Sequence, residues 1–460
     1  MMKYLSNFTD NLTYAFNQRS EGHGISNQYI PENIDLLIIV DSSTNEIEEC
    51  ERLKNLGIDI VIFDHHICEE INEHAIIVNP QLDNYPNKEL SGSGLAYKAC
   101  EVLDNLLDVD LTFNYIDLAG IGIYADVMSM KEPENRYFVY QALNNIKNFG
   151  IKAILKKMNI FIPRMTSQDI GFSIAPVINA TARMNQIEKV IHLLLEDDFE
   201  KCLLMAKDCI KLNSDRKRTE VKLFNKIKDR IDYSNEAIIV VTTEEDKIDK
   251  GFQGLLAMKI AEYYKKPTLV VKKDEDICRG SGRGISSSVD FKQLLNDSGE
   301  VDYTGGHPNA FGVEFKFDRY DNIIKKINKK LKGVKSDVVV SHKYDIELPL
   351  QKIDFDLVKK IQEFNLLAGK DAPQTTFLIK NVPIKERQVM GKMFDTIKLK
   401  SDNLDLMKFR ANEFYGREIK AGSHIDVIGS ININEWYNFG QKKVIKNLQC
   451  IIDDYKIGED

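Results

Sequence analysis

No apolar run in this 460-residue chain is long enough to cross a bilayer. The longest, Leu36 to Val40 and Ala237 to Val241, are five residues each, against the ~20 that a spanning helix needs. The chain also lacks positive excess: 62 Lys+Arg stand against 70 Asp+Glu, a formal net charge of −8. That excludes a protein gripping a polyanion by bulk charge, so any polyanion site must be a local cleft or stripe. Seven Cys, at positions 50, 68, 100, 202, 209, 278 and 450, form no Cys-x-x-Cys pair. This excludes a disulfide framework and points to a reducing, cytoplasmic setting. Met1 to Phe8 hold no apolar stretch of signal-peptide length, so secretion by that route is not expected. Internal repeats are absent, and the one biased segment is lysine-rich, near Lys325 to Lys335. The composition that remains, 43% hydrophobic and 29% charged, is ordinary for a globular chain of roughly three domains.

The pattern falls into three blocks. Leu36 to Val40 is a β-branched run, Glu46 to Leu56 has helical spacing that stops at Gly57, and Ile58 to Phe63 is apolar again. That is a βαβ unit, hence a parallel strand pair. Asp41 and Asp64 follow the two strands, at the carboxyl edge where open α/β sheets place their ligands. A third strand, Ala75 to Val78, leads into Asn79-Pro80. Helices then open near Ser91-Gly92-Ser93-Gly94 and run from Tyr115 to Ala125, with Asp126 at the end. From Thr166 the sequence turns helical, and Leu203 to Ile231 contains no Gly or Pro, reading as a long connecting helix. A second α/β block has strands at Ala237 to Val241 and Thr268 to Val271 and a helix at Gln253 to Tyr264. Beyond Tyr344 short strands with turns suggest a small barrel or sandwich.

Asp64-His65-His66 directly after a buried strand is the sharpest local chemistry. Two imidazoles and a carboxylate there suit a first-row divalent metal, and Asp41 on the neighbouring strand end is placed to bridge two ions ~4 Å apart. Asp41, Asp64 and Asp126 all fall at element ends that can converge. Gly280-Ser281-Gly282-Arg283-Gly284 and Thr304-Gly305-Gly306-His307-Pro308 supply backbone N–H groups, a hydroxyl, a guanidinium and an imidazole, the equipment of a phosphate site. Lys325, Lys326, Lys329, Lys330 and Lys332 interleave with apolar residues as the solvated face of an amphipathic helix. The basic side chains of the connecting helix, among them Lys211, Arg216, Lys217, Arg218 and Lys222, are either a solvated face or the wall of a phosphate-tracking groove. His23 reads as a turn residue, and Cys68 and Cys278 as structural.

Val40-Asp41, Phe63-Asp64-His65-His66, Ala125-Asp126-Val127, the segment Ile174 to Met184 and the two glycine clusters, in that order, resemble the DHH phosphoesterases that carry a DHHA1 domain. Within that superfamily the chain resembles the RecJ-type single-strand-specific 5′-to-3′ DNA exonucleases of recombination and repair, from about Glu21 to Ile452. Ile433-Asn434-Glu435-Trp436 is similar to a turn near the end of that family's OB-fold. The resemblance implies an α/β fold with a parallel-sheet DHH domain (1–165), a helical connector (166–235), a smaller α/β DHHA1 domain (236–335) and a C-terminal OB-fold β-barrel (340–456). It implies that Asp41 bridges two Mn²⁺ or Mg²⁺ ions, that His65 and Asp126 complete one metal site, that Asp64 orients His65, and that His66 contacts the scissile phosphate. Ser281, Arg283, Arg183 and His307, with Gly305 and Gly306, would hold the 5′-phosphate end. The OB-fold would bind single-stranded DNA, with Trp436 as a buried turn anchor more than a stacking platform. A single-strand-binding protein or a helicase would be natural partners.

The chain departs from the pattern in places. The family's opening Asp-x-Asp-x-Asp-Gly-like motif lies before the point where this chain starts. Met1 to Phe16 reads as the family's following strand, and Glu21-Gly22-His23-Gly24 as its glutamate-glycine-tyrosine-glycine turn. The expectation is therefore that the polypeptide alone is a weak or inactive nuclease, needing that segment from a longer start, a split-gene partner chain or a spliced precursor. Asp249 stands where the family usually has His, and Phe364 to Pro373 lacks the family's proline-glycine spacing. Two alternatives are a non-catalytic single-strand-binding or replisome scaffold, and a DHH-type phosphodiesterase for dinucleotides or cyclic dinucleotides.

Overall fold

The computed structural model describes the chain except residues 18–23, 26–29, 31–32, 69, 83, 286–288, 336–342, 392–395, 412–413, 439, 441–442 and 459–460. The expected turn at 21–24, with His23, lies almost wholly outside the described residues. The chain divides into two compact units. One comprises 1–126, 137–165 and 169–338; the other comprises 127–136, 166–168 and 339–460.

The first unit opens with α1 (Met2–Leu5). The strand expected over Met1 to Phe16 is not there, because Tyr4 anchors the segment instead. Its ring packs against Phe8 and Tyr115, and its buried hydroxyl donates to Asp104 at 2.8 Å. Then come β1 (Leu36–Val40), α2 (Ile47–Asn55), β2 (Asp59–Phe63) and β3 (Ile76–Val78). The three strands form a parallel sheet in sequence order, its core built by Cys50, Leu53, Ile60 and Ile62. Val40 pairs with Phe63 and Phe63 with Val78, so the residues after each strand emerge side by side.

Helices α3 (Gly92–Leu107) and α4 (Ile116–Ala125) follow. They approach closely at glycines: a Cβ on Gly94 would fall 3.2 Å from Ile123, and one on Gly122 would fall 2.1 Å from the Ser93 hydroxyl. Next in the chain are α5 (Pro133–Asn144), α6 (Phe149–Lys157), α7 (Ser167–Asp169), α8 (Ala175–Arg183) and α9 (Ile187–Leu195), then α10 (Phe199–Ile227); the openings of α5 and α7 belong to the second unit. Asp198 caps α10 by accepting from the Glu200 and Lys201 N–H groups, which stabilises the exposed donors of a helix start. Several basic side chains of this helix and its end are ion-paired, Arg216 to Glu220 and Arg230 to Asp246, whereas Lys211, Lys217 and Lys222 are exposed.

The second α/β block contains β4 (Ile238–Thr242), α11 (Lys250–Tyr264), β5 (Thr268–Asp274), β6 (Ile277–Arg283), α12 (Phe291–Asn296), β7 (Tyr303–His307), β8 (Ala310–Lys316) and α13 (Tyr320–Lys335). Its sheet runs β4-β5-β6-β8-β7. Along α13, Ile323, Ile327 and Leu331 are buried while Lys326 and Lys330 pair with Glu300 and Asp297, the amphipathic arrangement its spacing predicts.

The second unit holds β9 (Ile346–Glu347), α14 (Phe355–Phe364), β10 (Phe377–Pro383), β11 (Glu386–Met390), β12 (Thr396–Lys400), β13 (Asp405–Phe409), β14 (His424–Asn438) and β15 (Lys443–Ile457). They form one sheet in the order β11-β12-β13-β15-β14-β10-β9 around a core including Ile379, Val427 and Ile452. The expected barrel does not close among the described residues, since β9 and β11 end the order without pairing to each other. The turn expected at Ile433 to Trp436 is instead strand: these residues pair with Leu448 to Ile445 in the long β14–β15 ladder. Trp436 is 42% exposed there, not a buried anchor, because near the end of a two-stranded ribbon no second layer covers it.

Candidate metal centre

The register of the first sheet delivers Asp41 and Asp64 to one edge. Asp41 has a left-handed backbone, φ +69°, a conformation that costs a non-glycine residue free energy and clusters at functional sites. Its N–H is held by the Phe63 carbonyl at 2.8 Å, and its carboxylate lies on the first turn of α3. A Cβ on Gly92 would fall 2.3 Å from Asp41 Oδ1, so only glycine admits the acid beside that favourable helix N-terminus.

Asp64 is 1% exposed. It accepts from the Thr44 hydroxyl at 2.7 Å, from His66 Nδ1 at 2.7 Å and from the His65 N–H at 2.8 Å. Burial works against its ionisation, but the bonds from His66 and Thr44 outweigh it and hold the carboxyl far below the usual carboxylate range. The bond to Asp64 raises the His66 imidazole in turn, against burial and with help from Asp41 and Asp126. Asp64 was expected to orient His65. It fixes the His65 backbone, while the ring it holds is that of His66. Buried Asn79 completes this network, donating to the Thr44 hydroxyl at 3.2 Å and to the His66 carbonyl at 2.9 Å.

His65 Nε2 stands between two acids, 3.2 Å from Asp41 Oδ1 and 3.3 Å from Asp126 Oδ2. Asp126 terminates α4, and the next residue, Val127, has φ +58°. Burial pushes the Asp126 carboxyl up. The Asp41 charge adds to this, and the imidazoles of His65, His66 and His307 oppose it. One ring nitrogen cannot satisfy two carboxylates, and the C-terminal end of α4 adds negative potential, so the cluster is deficient in positive charge. Asp41, His65 and His66 each offer a ligand atom within 4.8 Å of the others. Oxygen and imidazole donors of this kind fit a divalent ion such as Mn²⁺ or Mg²⁺. Gly92, Thr44 and Asn79 were not singled out from the sequence. Ser91-Gly92-Ser93-Gly94 and Asn79-Pro80 marked only a helix start and a strand end.

The glycine clusters are largely strands. Gly280 and Gly282 lie inside β6, where a Cβ would fall 2.0 Å from the Val270 carbonyl and 2.4 Å from the Phe311 ring, respectively. They make room for packing. The alternate residues, Ser281 and Arg283, face α11 at Gly254, where a Cβ would fall 2.8 Å from Arg283 Nη2 and 3.5 Å from Ser281 Oγ. Thr268, Arg283, Ala310 and His307 form one cross-strand row, and Val270, Ser281, Gly312 and Gly305 the next. Arg183, at the end of α8, donates to the Gly251 carbonyl of α11 at 3.3 Å. Gly306 is in the left-handed region at φ +117°. Ser281, Arg283 and His307 therefore share a sheet face, and His307 is near enough to Asp126 to act on its carboxyl.

A parallel sheet whose carboxyl edge gathers carboxylates and imidazoles defines a class, and residues 1–123 match the DHH family, N-terminal domain. Residues 344–454 match the RecJ OB domain. The chain is 30% identical over 93% of its length to YorK of Bacillus subtilis, named provisionally as an SPbeta prophage-derived single-strand DNA-specific exonuclease, and covers 80% of it. It is 27% identical over 97% of its length to the B. subtilis single-stranded-DNA-specific exonuclease RecJ, covering 57% of that protein. The crystal structure of Thermus thermophilus RecJ with Mn²⁺ matches at a TM-score of 0.73 and 21% identity, over 93% of this chain and 62% of that one; the same protein is also known with Mg²⁺. The chain belongs to the RecJ family of single-strand-DNA-specific exonucleases.

Proposed function

We propose that this chain hydrolyses phosphodiester bonds of single-stranded DNA from a 5′ end, with a divalent cation held by Asp41, His65 and Asp126, as part of DNA recombination and repair. The observation that carries the reading is His65 Nε2 placed between Asp41 and Asp126 at 3.2 and 3.3 Å. When bound, the cation activates water and neutralises charge on the phosphoryl oxygens. The residues of the chain do the rest. Asp64, Thr44 and Asn79 lock the strand end, so the donors cannot swing apart. His66, bonded through Nδ1 to Asp64 and 59% exposed in its side chain, binds the scissile phosphate. Ser281 and Arg283 hold the 5′-phosphate, with His307 and Arg183 flanking it.

The second unit, which matches the RecJ OB domain, binds single-stranded DNA. That favours an extended strand over a dinucleotide as substrate. Among the described residues no helix is long and apolar enough to cross a membrane, and the seven cysteines are free thiols, which suits a cytoplasmic setting. The test is nucleotide release from a 5′-phosphorylated single strand with Mn²⁺, beside a duplex of the same sequence. The expected result is single-strand-specific release, abolished by EDTA and lowered about a thousandfold in Asp41→Ala, with Mn²⁺ binding lost in calorimetry. Undiminished hydrolysis by Asp41→Ala refutes the reading.

A further inference from the structure

The two faces of the second sheet are covered unequally. One face packs Leu269, Val271, Phe311, Val313 and Phe315 under α12 and α13. On the other, α11 covers β4 and β5 through Ile238, Val240 and Val270 and reaches β6 at Gly254. Beyond β6, strands β8 and β7 turn Ala310, Gly312 and Gly305 to this side, a patch of small residues bordered by His307 on one flank and by Tyr303 and its cross-strand partner Glu314 on the other.

Tyr303 reaches over that patch. It stands two residues before Gly305 on the same strand face, and its ring runs along the strand over the glycine. A Cβ on Gly305 would fall 1.9 Å from Tyr303 Oη and 2.6 Å from Cζ. One on Gly312 would fall 3.9 Å from Tyr303 Cε1. The residue is nonetheless 60% exposed, so its hydroxyl end lies over glycine while much of the ring is in water. Such a ring contributes little to the core, and any side chain at 305 would evict it. A free aromatic face is the surface on which an unpaired nucleobase stacks, whatever its identity. Ser281 sits in the same cross-strand row as Gly312 and Gly305. At ~4.8 Å between strands, two strands away is about 10 Å, a distance one nucleotide covers from its 5′-phosphate to the far edge of its base.

We propose that Tyr303 is the stacking platform for the 5′-terminal nucleobase of a single-stranded substrate, its ring laid flat by Gly305 and Gly312 beside the phosphate-holding Ser281 and Arg283. The proposal rests on the nuclease reading above and adds a cause of strand specificity. A terminal base that is paired and stacked in a duplex cannot lie on this shelf, whereas an unpaired one can.

Fluorescence anisotropy in EDTA, where nothing is cut, tests it with two 5′-phosphorylated 12-mers, one ending in thymidine and one in a tetrahydrofuran abasic unit. Wild-type protein should bind the thymidine end about tenfold more tightly than the abasic end. Tyr303→Ala should abolish that ratio while leaving the abasic affinity unchanged, and Tyr303→Phe and Tyr303→Trp should keep it. A ratio unchanged in Tyr303→Ala, or absent in wild type that still binds both strands, overturns the platform and leaves the nuclease reading standing. Failure of wild type to bind either strand overturns both.

Discussion

The edge of the first sheet and the open shelf of the second reach precision by opposite means. At the edge, position comes from filling space. Asp64 is buried and takes bonds from Thr44, His65 and His66, with Asn79 holding two of those partners. Asp41 is held in a left-handed backbone. Like charges brought together must be over-determined, because each would otherwise relax away from the others. On the shelf, position comes from emptying space. Gly305, Gly312 and Ala310 present almost nothing, so the ring of Tyr303 lies over glycine with most of the residue exposed. A surface for a flexible anionic strand needs access, whereas a cluster of acids needs confinement.

Gly92→Ala breaks the comparison most sharply, because it forces a methyl to within 2.3 Å of Asp41 Oδ1 at the confined site. Hydrolysis of single-stranded DNA should fall about a hundredfold with the melting temperature little changed, as read by nucleotide release beside calorimetry. Gly282→Ala does the reverse: its methyl meets the Phe311 ring at 2.4 Å. It should destabilise the fold by about 1–3 kcal/mol in urea titration, with Mn²⁺ affinity unaltered. Thr44→Val removes a hydroxyl that touches no proposed ligand yet positions Asp64, and calorimetry should show Mn²⁺ affinity about tenfold weaker.

The smallest effect concerns Asp246, away from both sites. Burial opposes its ionisation, but the Thr243 N–H and the Arg230 guanidinium outweigh it and hold the carboxyl below its ordinary range. The folded value lies below the unfolded one, so the stabilisation is present above pH ~4 and is lost as pH falls through the folded value. Asp246→Asn should lower stability at neutral pH by under about 1 kcal/mol and flatten the loss on the acid side, seen by urea unfolding at stepped pH.

The strands and the connecting helix were legible because hydrophobic period is a local property; that Asp41, His65 and Asp126 belong together was implied by the family resemblance, and only the structure puts His65 Nε2 3.2 and 3.3 Å from the two acids. β14 was legible only in part. Short strands with turns were expected beyond Tyr344, but the stretch through Trp436 pairs with β15 over its length, a non-local ladder that no short window contains. The same holds for the glycine clusters. That glycine at 280 and 282 makes room for packing shows only when the Val270 carbonyl of the paired strand and the Phe311 ring are seen pressing on them.

By itself the sequence determined the class of chemistry, since residue types and their order decide which charges and donors exist and at which element ends they fall. Tertiary structure alone decided that Gly92 makes room for Asp41, that Asp64 grips the ring of His66, and that Tyr303 lies exposed on a glycine floor. Each of these depends on how closely two distant segments approach, and that distance is set by packing rather than by any residue's own preference.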